Sequence, residues 1–222
     1  MDRLYHERLN RSDATMARLK ALPVTLCGAG ALGANLAENL ARQGFEKLTV
    51  IDRDRVEEHN LSTQPWHRSD IGAFKAKILA NSLFRALGVA AVTAKAEELT
   101  PGNAAKLLAG SGLVVDAFDN SASRRAVSDA CRAAGLPCLH VGLSGDGYAE
   151  VIWDEAYTVP PDAGVDACDY PLARNLVLMA VAVAAEVVVG FAASGERRSV
   201  TLTLGDFAVR SYEGVGASKS SA

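Results

Sequence analysis

The stretch that most constrains the fold of this chain covers residues 24–64. A short apolar segment leads into a helical pattern through three glycines, Gly28, Gly30 and Gly33. A second apolar segment, Leu48–Ile51, then ends at Asp52. This order of strand, glycine turn, helix, strand and acidic residue is typical of nucleotide sites. Because glycine lets backbone approach a phosphate and the first N–H groups of a helix face an anion, the stretch predicts a ligand with phosphates and a ribose.

The glycine pattern alone does not identify the nucleotide. It is also compatible with an NAD or FAD site, or with a structural turn that binds nothing. Asp52 does not discriminate between these alternatives, because an NAD enzyme would use the same carboxylate to hold a ribose. The identity of the nucleotide therefore depends on residues further along the chain.

The composition indicates an ordinary globular chain. With 222 residues, of which 49% are hydrophobic and 22% charged, the chain is long enough for one large core. The formal net charge of −3 gives no general basic field, so we expect no nucleic-acid partner. The first residues are charged where a signal peptide would be apolar, so we expect a cytoplasmic protein.

One segment, Leu176–Ala193, is almost wholly apolar and raises the question of a membrane span. It is barely long enough to cross a bilayer, and Glu186 at its middle would cost about 2.5–3.5 kcal/mol there. We therefore predict a buried helix and no membrane association. Because so apolar a helix is hard to cover within one small domain, we also expect it to contribute to a homodimer interface.

The cysteines and histidines show no metal-binding pattern. None of the four cysteines forms a CxxC pair, so we expect neither a zinc site nor a disulfide framework. The first three lie in strand or helix patterns and are expected in the core, namely Cys27, Cys131 and Cys138. The four histidines have no ligand-like spacing, and no role is assigned to any of them.

Short apolar segments alternate with helical patterns along the chain. This alternation predicts an α/β fold that is Rossmann-like and doubly wound, with a mostly parallel sheet and antiparallel strands at its C-terminal end. We predict an N-terminal helical arm over residues 1–22, a nucleotide-binding domain over residues 23–212 and a disordered tail over residues 213–222. Asp13 is the expected N-cap of a helix in the arm.

Two further patterns bear on the site. A helix is predicted from about Asp70 to Leu87, and a strand over Leu113–Asn120 that carries Asp116 and Asp119. Ligands of open α/β sheets bind beyond the carboxyl ends of the strands, where the glycines and these carboxylates are expected to lie.

Four motifs in order now identify a family. They are GAGALG, IDRDRVEEHNLSTQ, IGAFKA and VVDAFDN, with Arg124 or Arg125 after the last. Together they resemble the ThiF/MoeB/HesA adenylyltransferases and the adenylation domain of ubiquitin-activating enzymes. The resemblance implies that residues 23–212 bind ATP and magnesium and adenylate a carboxylate, commonly the C-terminal glycine of a ubiquitin-like or sulfur-carrier protein, with release of pyrophosphate.

The resemblance also implies a role for each matching residue. Gly28, Gly30 and Gly33 would surround the phosphates, and Asn60 and Lys75 would contact them. Asp52 would hold the ribose, Gln64 would also bind the nucleotide, and Asp119 would bind magnesium. Either Arg8 or Arg11 would be the arginine that the family supplies across a dimer interface. Asp116 would have a supporting role or none. Lys75, taken without its motif, is more typical of a solvated surface lysine.

Cys168 lies in a loop-like segment, where some family members keep a cysteine that forms a thioester or an acyl persulfide. The alternative is a free cysteine without a role, because several relatives release the adenylate without one. The thiol would need access to the adenylate to act as a nucleophile.

The chain departs from the family pattern at Thr63, where the family usually has an arginine. Arg53, Arg55 and Arg68 are the cations nearby in sequence that could replace it. Thr63 supports a first alternative, a non-catalytic subunit that keeps the fold in order to bind a partner. A second alternative is an NAD-dependent oxidoreductase, which would bind nicotinamide without magnesium.

Overall fold

The computed structural model describes residues 2–161 and 172–212. Eight strands form one sheet in the order β3-β2-β1-β4-β5-β6-β7-β8. The strands are β1 (Val24–Cys27), β2 (Leu48–Ile51), β3 (Val92–Lys95), β4 (Leu113–Asp116), β5 (Cys138–Leu143), β6 (Tyr148–Trp153), β7 (Val200–Thr203) and β8 (Val209–Ser211). The helices are α1 (Tyr5–Asn10), α2 (Asp13–Ala21), α3 (Ala31–Gln43), α4 (Lys75–Leu87), α5 (Ala104–Leu108), α6 (Ser121–Ala134) and α7 (Arg174–Ser194).

The sheet is parallel from β3 to β5 and antiparallel from β5 to β8. Every residue of β1 and β4 is buried, as expected for strands that helices cover on both faces. Residues of α2, α3, α4 and α7 share one apolar cluster, and residues of α5 and α6 share a second. The predicted fold class, a mostly parallel doubly wound sheet with antiparallel C-terminal strands, is confirmed.

Among the described residues, α7 is the one helix whose length and apolar composition would allow it to cross a membrane. Nine of its residues are buried, and it packs against α2, α3, β5 and β6. The prediction of a buried helix is confirmed. Since about half of the apolar part of α7 is buried by its own chain, the contribution of this helix to a homodimer interface stays a prediction.

The boundaries predicted for three elements are wrong. The helix expected from Asp70 begins at Lys75, because Gly72 adopts a positive φ of 86° and the segment before α4 bonds to residues 55–56 instead. Strand β4 ends at Asp116, so Asp119 lies in the loop that follows. The N-cap of α2 is Ser12, whose hydroxyl accepts a hydrogen bond from Thr15 N–H at 3.1 Å, and Asp13 is the first helical residue.

The N-terminal residues form two short helices, α1 and α2. Met16 and Leu19 of α2 are buried in the larger apolar cluster, so this helix is part of the packed body of the protein. Cys168 and the predicted tail over residues 213–222 lie outside the described residues.

Candidate active site

The glycine turn joins β1 to α3 at the carboxyl edge of the sheet. Gly28 has a φ of 98°, and a Cβ on Gly33 would lie 2.0 Å from the carbonyl oxygen of Gly28. Both positions therefore require glycine, the first for its backbone conformation and the second because α3 packs directly on the turn. A Cβ on Gly30, the N-cap of α3, would meet no protein atom within 4 Å among the described residues. This open space lies at the N-terminus of α3, whose first N–H groups would face an anion bound there.

Asp52 follows β2 and ties that strand to the glycine turn. Its Oδ2 accepts a hydrogen bond from Ala29 N–H and its Oδ1 accepts one from Asp54 N–H, each at 2.6 Å. Burial raises the pKa of Asp52 above its ordinary value of 3.8, although both hydrogen bonds and the charge of Lys75 oppose the shift. The carboxylate is thus buried beside the turn, and its ribose-binding role stays a prediction.

Lys75 is the first residue of α4, and the fold brings it to the same edge. Its Nζ lies 3.4 Å from Oδ2 of Asp54, and its backbone N–H donates to the Asp54 carbonyl. The side chain is only 10% exposed. The alternative of a freely solvated surface lysine is therefore wrong, because a largely buried ammonium is held beside Asp52 and Asp54.

The polar segment after β2 is packed against α3. The carbonyl of Thr63 accepts a hydrogen bond from Asn35 Nδ2 at 2.9 Å, which places Thr63 beside the first turns of α3. Asn60 and Gln64 are both buried, but their side-chain oxygens accept hydrogen bonds from Glu57 N–H and from the Trp66 indole. These two side chains therefore hold the shape of the segment.

The two carboxylates at the end of β4 have different environments. Asp119 is exposed, and its Oδ1 accepts a hydrogen bond of 3.4 Å from Asn120 Nδ2. Asp116 is fully buried, and its oxygens accept from Phe118 N–H and contact His140. Since β1 and β4 are neighbours at which the strand order reverses, Asp119 and the glycine turn lie on either side of the topological switch point.

Arg8 and Arg11 lie away from this edge within the chain. Leu4, just before α1, lies against Gly44 at the C-terminal end of α3, and α3 rises about 18 Å between its two ends. Arg11 is held by ion pairs with Glu7 and Glu186, whereas the exposed Arg8 pairs only at the surface, with Asp2. The chain therefore does not bring either arginine to its own glycine turn.

The cations suggested as substitutes at Thr63 are engaged elsewhere. Arg53 pairs with Glu98, Arg55 stacks on the Phe74 ring and Arg68 pairs with Glu58. One further cation near Thr63 was not predicted from the sequence. Arg174, at the start of α7, donates from Nη1 to the carbonyl of Ser62 at 3.1 Å. Because Thr63 and Arg174 are 111 residues apart, no local sequence pattern could predict this contact.

A second polar cluster, which the sequence analysis also missed, surrounds His140. Its Nδ1 lies 2.8 Å from Asp116 Oδ2, and its Nε2 lies 2.9 Å from Asp154 Oδ1. Burial lowers the pKa of His140, but the two carboxylates outweigh burial and raise it above the ordinary value. Burial likewise raises the pKa of Asp154, while hydrogen bonds from His140, Arg132 and Ser128 outweigh burial and lower it to about 2. One part of this cluster could have been predicted from the sequence. Cys138 and His140 are two residues apart on a strand, so their side chains lie on the same face.

The geometry of the glycine turn, Asp52 and Lys75 agrees with the comparison to known families. Residues 5–194 match the ThiF family. The chain belongs to the ThiF family. Its relatives include the SAMP-activating enzyme E1 of Haloferax volcanii, 35% identical over 69% of this chain and 55% of the relative. They also include the sulfur carrier protein adenylyltransferase of Thermus thermophilus, 36% identical over 55% of this chain and 45% of the relative.

This ThiF-family chain spans about half the length of these two relatives. Solved structures agree with the fold. Escherichia coli MccB, in a crystal structure with AMPCPP and MccA, superposes with a TM-score of 0.76 at 17% identity, over 90% of this chain and 65% of MccB. The E. coli tRNA N6-threonylcarbamoyladenosine dehydratase TcdA also gives a TM-score of 0.76, at 20% identity, over 87% of this chain and 95% of TcdA.

Proposed function

We propose that this ThiF-family chain is an ATP-dependent adenylyltransferase that activates the C-terminal carboxylate of a ubiquitin-like or sulfur-carrier protein. The observation that carries the proposal is the contact between Asp52 and Ala29 N–H beside the open space at Gly30, with Lys75 held at the same edge. Relatives are named as adenylyltransferases and as an activating enzyme. Family membership also favours ATP over the NAD alternative.

The residues at this edge have complementary roles in the proposed reaction. A carboxylate oxygen of the carrier attacks the α-phosphorus of ATP, the bond to the β-phosphate oxygen breaks, and pyrophosphate leaves. The first N–H groups of α3 and the ammonium of Lys75 stabilise the phosphate oxygens, whose negative charge is brought together in the transition state. Asp52 would accept hydrogen bonds from the ribose, because each of its oxygens accepts one hydrogen bond from a backbone N–H and keeps further lone pairs.

Asp119 is the residue that fits magnesium. It is an exposed carboxylate in the loop after β4, and among the described residues the Asn120 amide is the one group that hydrogen-bonds to its side chain. Mg²⁺ prefers carboxylate oxygens, keeps several waters and needs few protein ligands. When bound, the ion would neutralise phosphate charge, and Asp119 would hold it on the β4 side of the switch point.

A homodimer would supply the arginine that a single chain does not bring to its glycine turn. Arg8 is the better candidate, because Arg11 is held between Glu7 and Glu186 while Arg8 is half-exposed. We also propose a cytoplasmic protein without membrane or nucleic-acid partners. The three cysteines in the described part of the chain are free thiols, and the net charge is −3.

Pyrophosphate exchange with candidate carriers tests the proposed reaction. The purified protein is incubated with Mg–ATP, labelled pyrophosphate and small proteins that end in Gly-Gly. We expect carrier-dependent exchange, and we expect Asp119→Ala to lower its rate by about 10²–10³-fold, in line with the loss of a transition-state-stabilising group. Asp129→Ala, a change at an exposed carboxylate on α6, should behave like the parent.

Thr63 supports one alternative function, that of a non-catalytic partner-binding subunit, which can be tested directly. A non-catalytic subunit would bind a carrier protein but not Mg–ATP, because it lacks a phosphate-contacting cation. Calorimetry with Mg–ATP alone separates the two functions. Binding of a carrier without detectable Mg–ATP binding or exchange would overturn the proposed activity in favour of a partner-binding subunit.

A further inference from the structure

The cluster around His140 lies at the seam where the sheet changes from parallel to antiparallel. Cys138 and His140 point to the same face of β5, and Asp154 directly follows β6. The backbone N–H of Asp154 donates to the Cys138 carbonyl at 3.0 Å, so these residues are held together by the ladder itself. All three are buried, and His140 has no exposed surface. This cluster is separate from the residues assigned to the nucleotide.

The three side chains present metal-ligating atoms to one point. Nε2 of His140 lies 2.9 Å from Asp154 Oδ1 and 3.6 Å from Cys138 Sγ, and the three atoms lie within 4.8 Å of one another. A tetrahedral zinc site has Zn–N and Zn–O distances near 2.0–2.2 Å and Zn–S near 2.3 Å. Those bond lengths place N and S about 3.5 Å apart and N and O about 3.3 Å apart. The two distances from His140 Nε2 therefore differ from those of a zinc site by only a few tenths of an ångström.

The other side of the His140 ring has the arrangement that a zinc-ligating imidazole requires. Nδ1 contacts Asp116 Oδ2 at 2.8 Å. A metal-binding histidine almost always donates its other N–H to a carboxylate or carbonyl, which fixes the tautomer and leaves the lone pair on the ligating nitrogen. Asp116 is therefore a positioning residue that orients His140 Nε2 towards Cys138 and Asp154.

The charges of the cluster favour a cation at this point. Each carboxylate already has an arginine, since Arg124 lies 3.7 Å from Asp116 and Arg132 pairs with Asp154. Without a metal, a neutral imidazole would face one carboxylate with an unprotonated nitrogen, and an imidazolium would place a single positive charge between Asp116 and Asp154. A divalent cation at Nε2 adds the same single net charge, because one thiolate offsets one of its two positive charges, and it also binds the lone pair of Nε2.

We propose that Cys138 Sγ, His140 Nε2 and Asp154 Oδ1 bind a zinc-type divalent cation, with water in the fourth position. Binding releases the thiol proton of Cys138 to solvent, together with any proton on His140 Nε2. Arg132, whose side chain is 57% exposed, pairs with the other carboxylate oxygen of Asp154. The ion would link β5 to the residue that follows β6, and so stabilise the junction of the parallel and antiparallel parts of the sheet.

The test is titration of the reduced, metal-stripped full chain with Zn²⁺ alone, in competition with a chromophoric chelator and without ATP or carrier. We expect one equivalent bound with a Kd below about 1 µM, a limit weaker than the affinity of structural zinc sites at neutral pH. Co²⁺ in place of Zn²⁺ should give the charge-transfer absorption of a thiolate ligand. Less than one equivalent, or a Co²⁺ spectrum without a thiolate band, would overturn the proposal.

Matched variants connect the metal to the named side chains. Cys138→Ser and His140→Gln should each weaken Zn²⁺ binding by more than about 100-fold, and Asp116→Asn by about 10–100-fold because it acts through His140. Cys27→Ser is the control, as a buried thiol in the same apolar cluster that is not one of the three ligands. Circular dichroism checks that each variant folds. Unchanged affinity in a folded His140→Gln protein would also overturn the proposal, whatever the outcome of the exchange assay.

If the ligand variants fail to fold, thermal unfolding of the parent chain remains informative. Zn²⁺ that binds only the native state should raise the Tm of the metal-stripped protein, and a chelator should reverse the increase. A Tm that Zn²⁺ leaves unchanged would contradict the proposal.

Discussion

The carboxylate of Asp52 accepts a hydrogen bond of 2.6 Å from the backbone N–H of Ala29 and so fixes the end of β2 to the glycine turn after β1. One acidic residue therefore has two tasks, because the same side chain shapes the turn and offers free lone pairs to a ribose. Burial makes this arrangement sensitive to pH.

The Asp52→Asn variant should reveal the raised pKa of Asp52 in the stability of the protein. A carboxyl whose pKa is higher in the folded than in the unfolded state stabilises the fold when protonated. That contribution is complete below the ordinary value of 3.8 and is lost as the pH rises through the folded pKa. We therefore expect the free energy of unfolding of the parent to fall, relative to that of Asp52→Asn, as the pH rises from 3.8 through the folded-state pKa of Asp52. Urea denaturation of both proteins at several pH values measures the difference, and a pH-independent difference would contradict the prediction.

Two alanine substitutions in the glycine turn should affect different properties, one the stability of the protein and the other its affinity for ATP. Gly33→Ala places a Cβ 2.0 Å from the Gly28 carbonyl, so it should lower the free energy of unfolding by about 1–3 kcal/mol. The methyl group of Gly30→Ala meets no protein atom and should change the free energy of unfolding by less than about 1 kcal/mol. Because this methyl group enters the space assigned to phosphate, the substitution should weaken ATP binding. Urea denaturation and Mg–ATP calorimetry measure the two effects. Normal ATP affinity in Gly30→Ala would place the nucleotide elsewhere.

Lys75→Gln should abolish most of the exchange activity without unfolding the protein. Lys75 Nζ is held beside Asp54 at the carboxyl edge, where its charge would stabilise the transition state. We expect the exchange rate to fall by about 10²–10³-fold. Lys77→Gln, two residues along the same helix and exposed on the Phe74 ring, is the matched control and should retain activity. Equal losses in both variants would indicate a general charge effect.

Arg174 should compensate for the threonine at position 63. Its guanidinium donates to Ser62, next to Thr63, from a residue distant in sequence. A hydrogen bond to a charged group contributes about 1.5–3 kcal/mol, so Arg174→Gln should lower kcat/KM for ATP by about 10- to 150-fold. Arg53→Gln is the control, because Arg53 pairs with Glu98, and it should leave kcat/KM for ATP unchanged. Adding Thr63→Arg to Arg174→Gln should restore activity, and failure of both the loss and the rescue would leave Arg174 with a structural role.

Arg8 should act across a dimer interface. Arg8→Ala and Asp119→Ala should each inactivate the protein, but a mixed dimer of the two chains keeps one site with both residues intact. Random mixing should therefore recover about a quarter of the parental exchange rate, since half of the dimers are mixed and each has one working site of two. Arg11→Ala breaks the pairs with Glu7 and Glu186 and should lower stability instead. A mixture no more active than its components would exclude the shared site.

The elements that local sequence determines were predicted correctly. Alternating apolar segments and helical patterns predicted the doubly wound sheet, because strands buried on both faces need continuous apolar runs and the helices between them need one apolar side. The glycines and Asp52 were predicted together, because the turn, the helix and the next strand follow each other in the chain. The length and apolar composition of α7 predicted its burial.

Long-range packing decided the rest. Sequence could not show that α4 starts at Lys75 until Gly72 and the pairing of Arg55 with Phe74 were visible. It could not bring Arg174 to Ser62, or Asp116 and Asp154 to His140, because these contacts depend on which strands are neighbours. Local periodicity fixes the type of each element and the glycine turn, whereas side chains far apart in the chain meet only once the order of the strands is set.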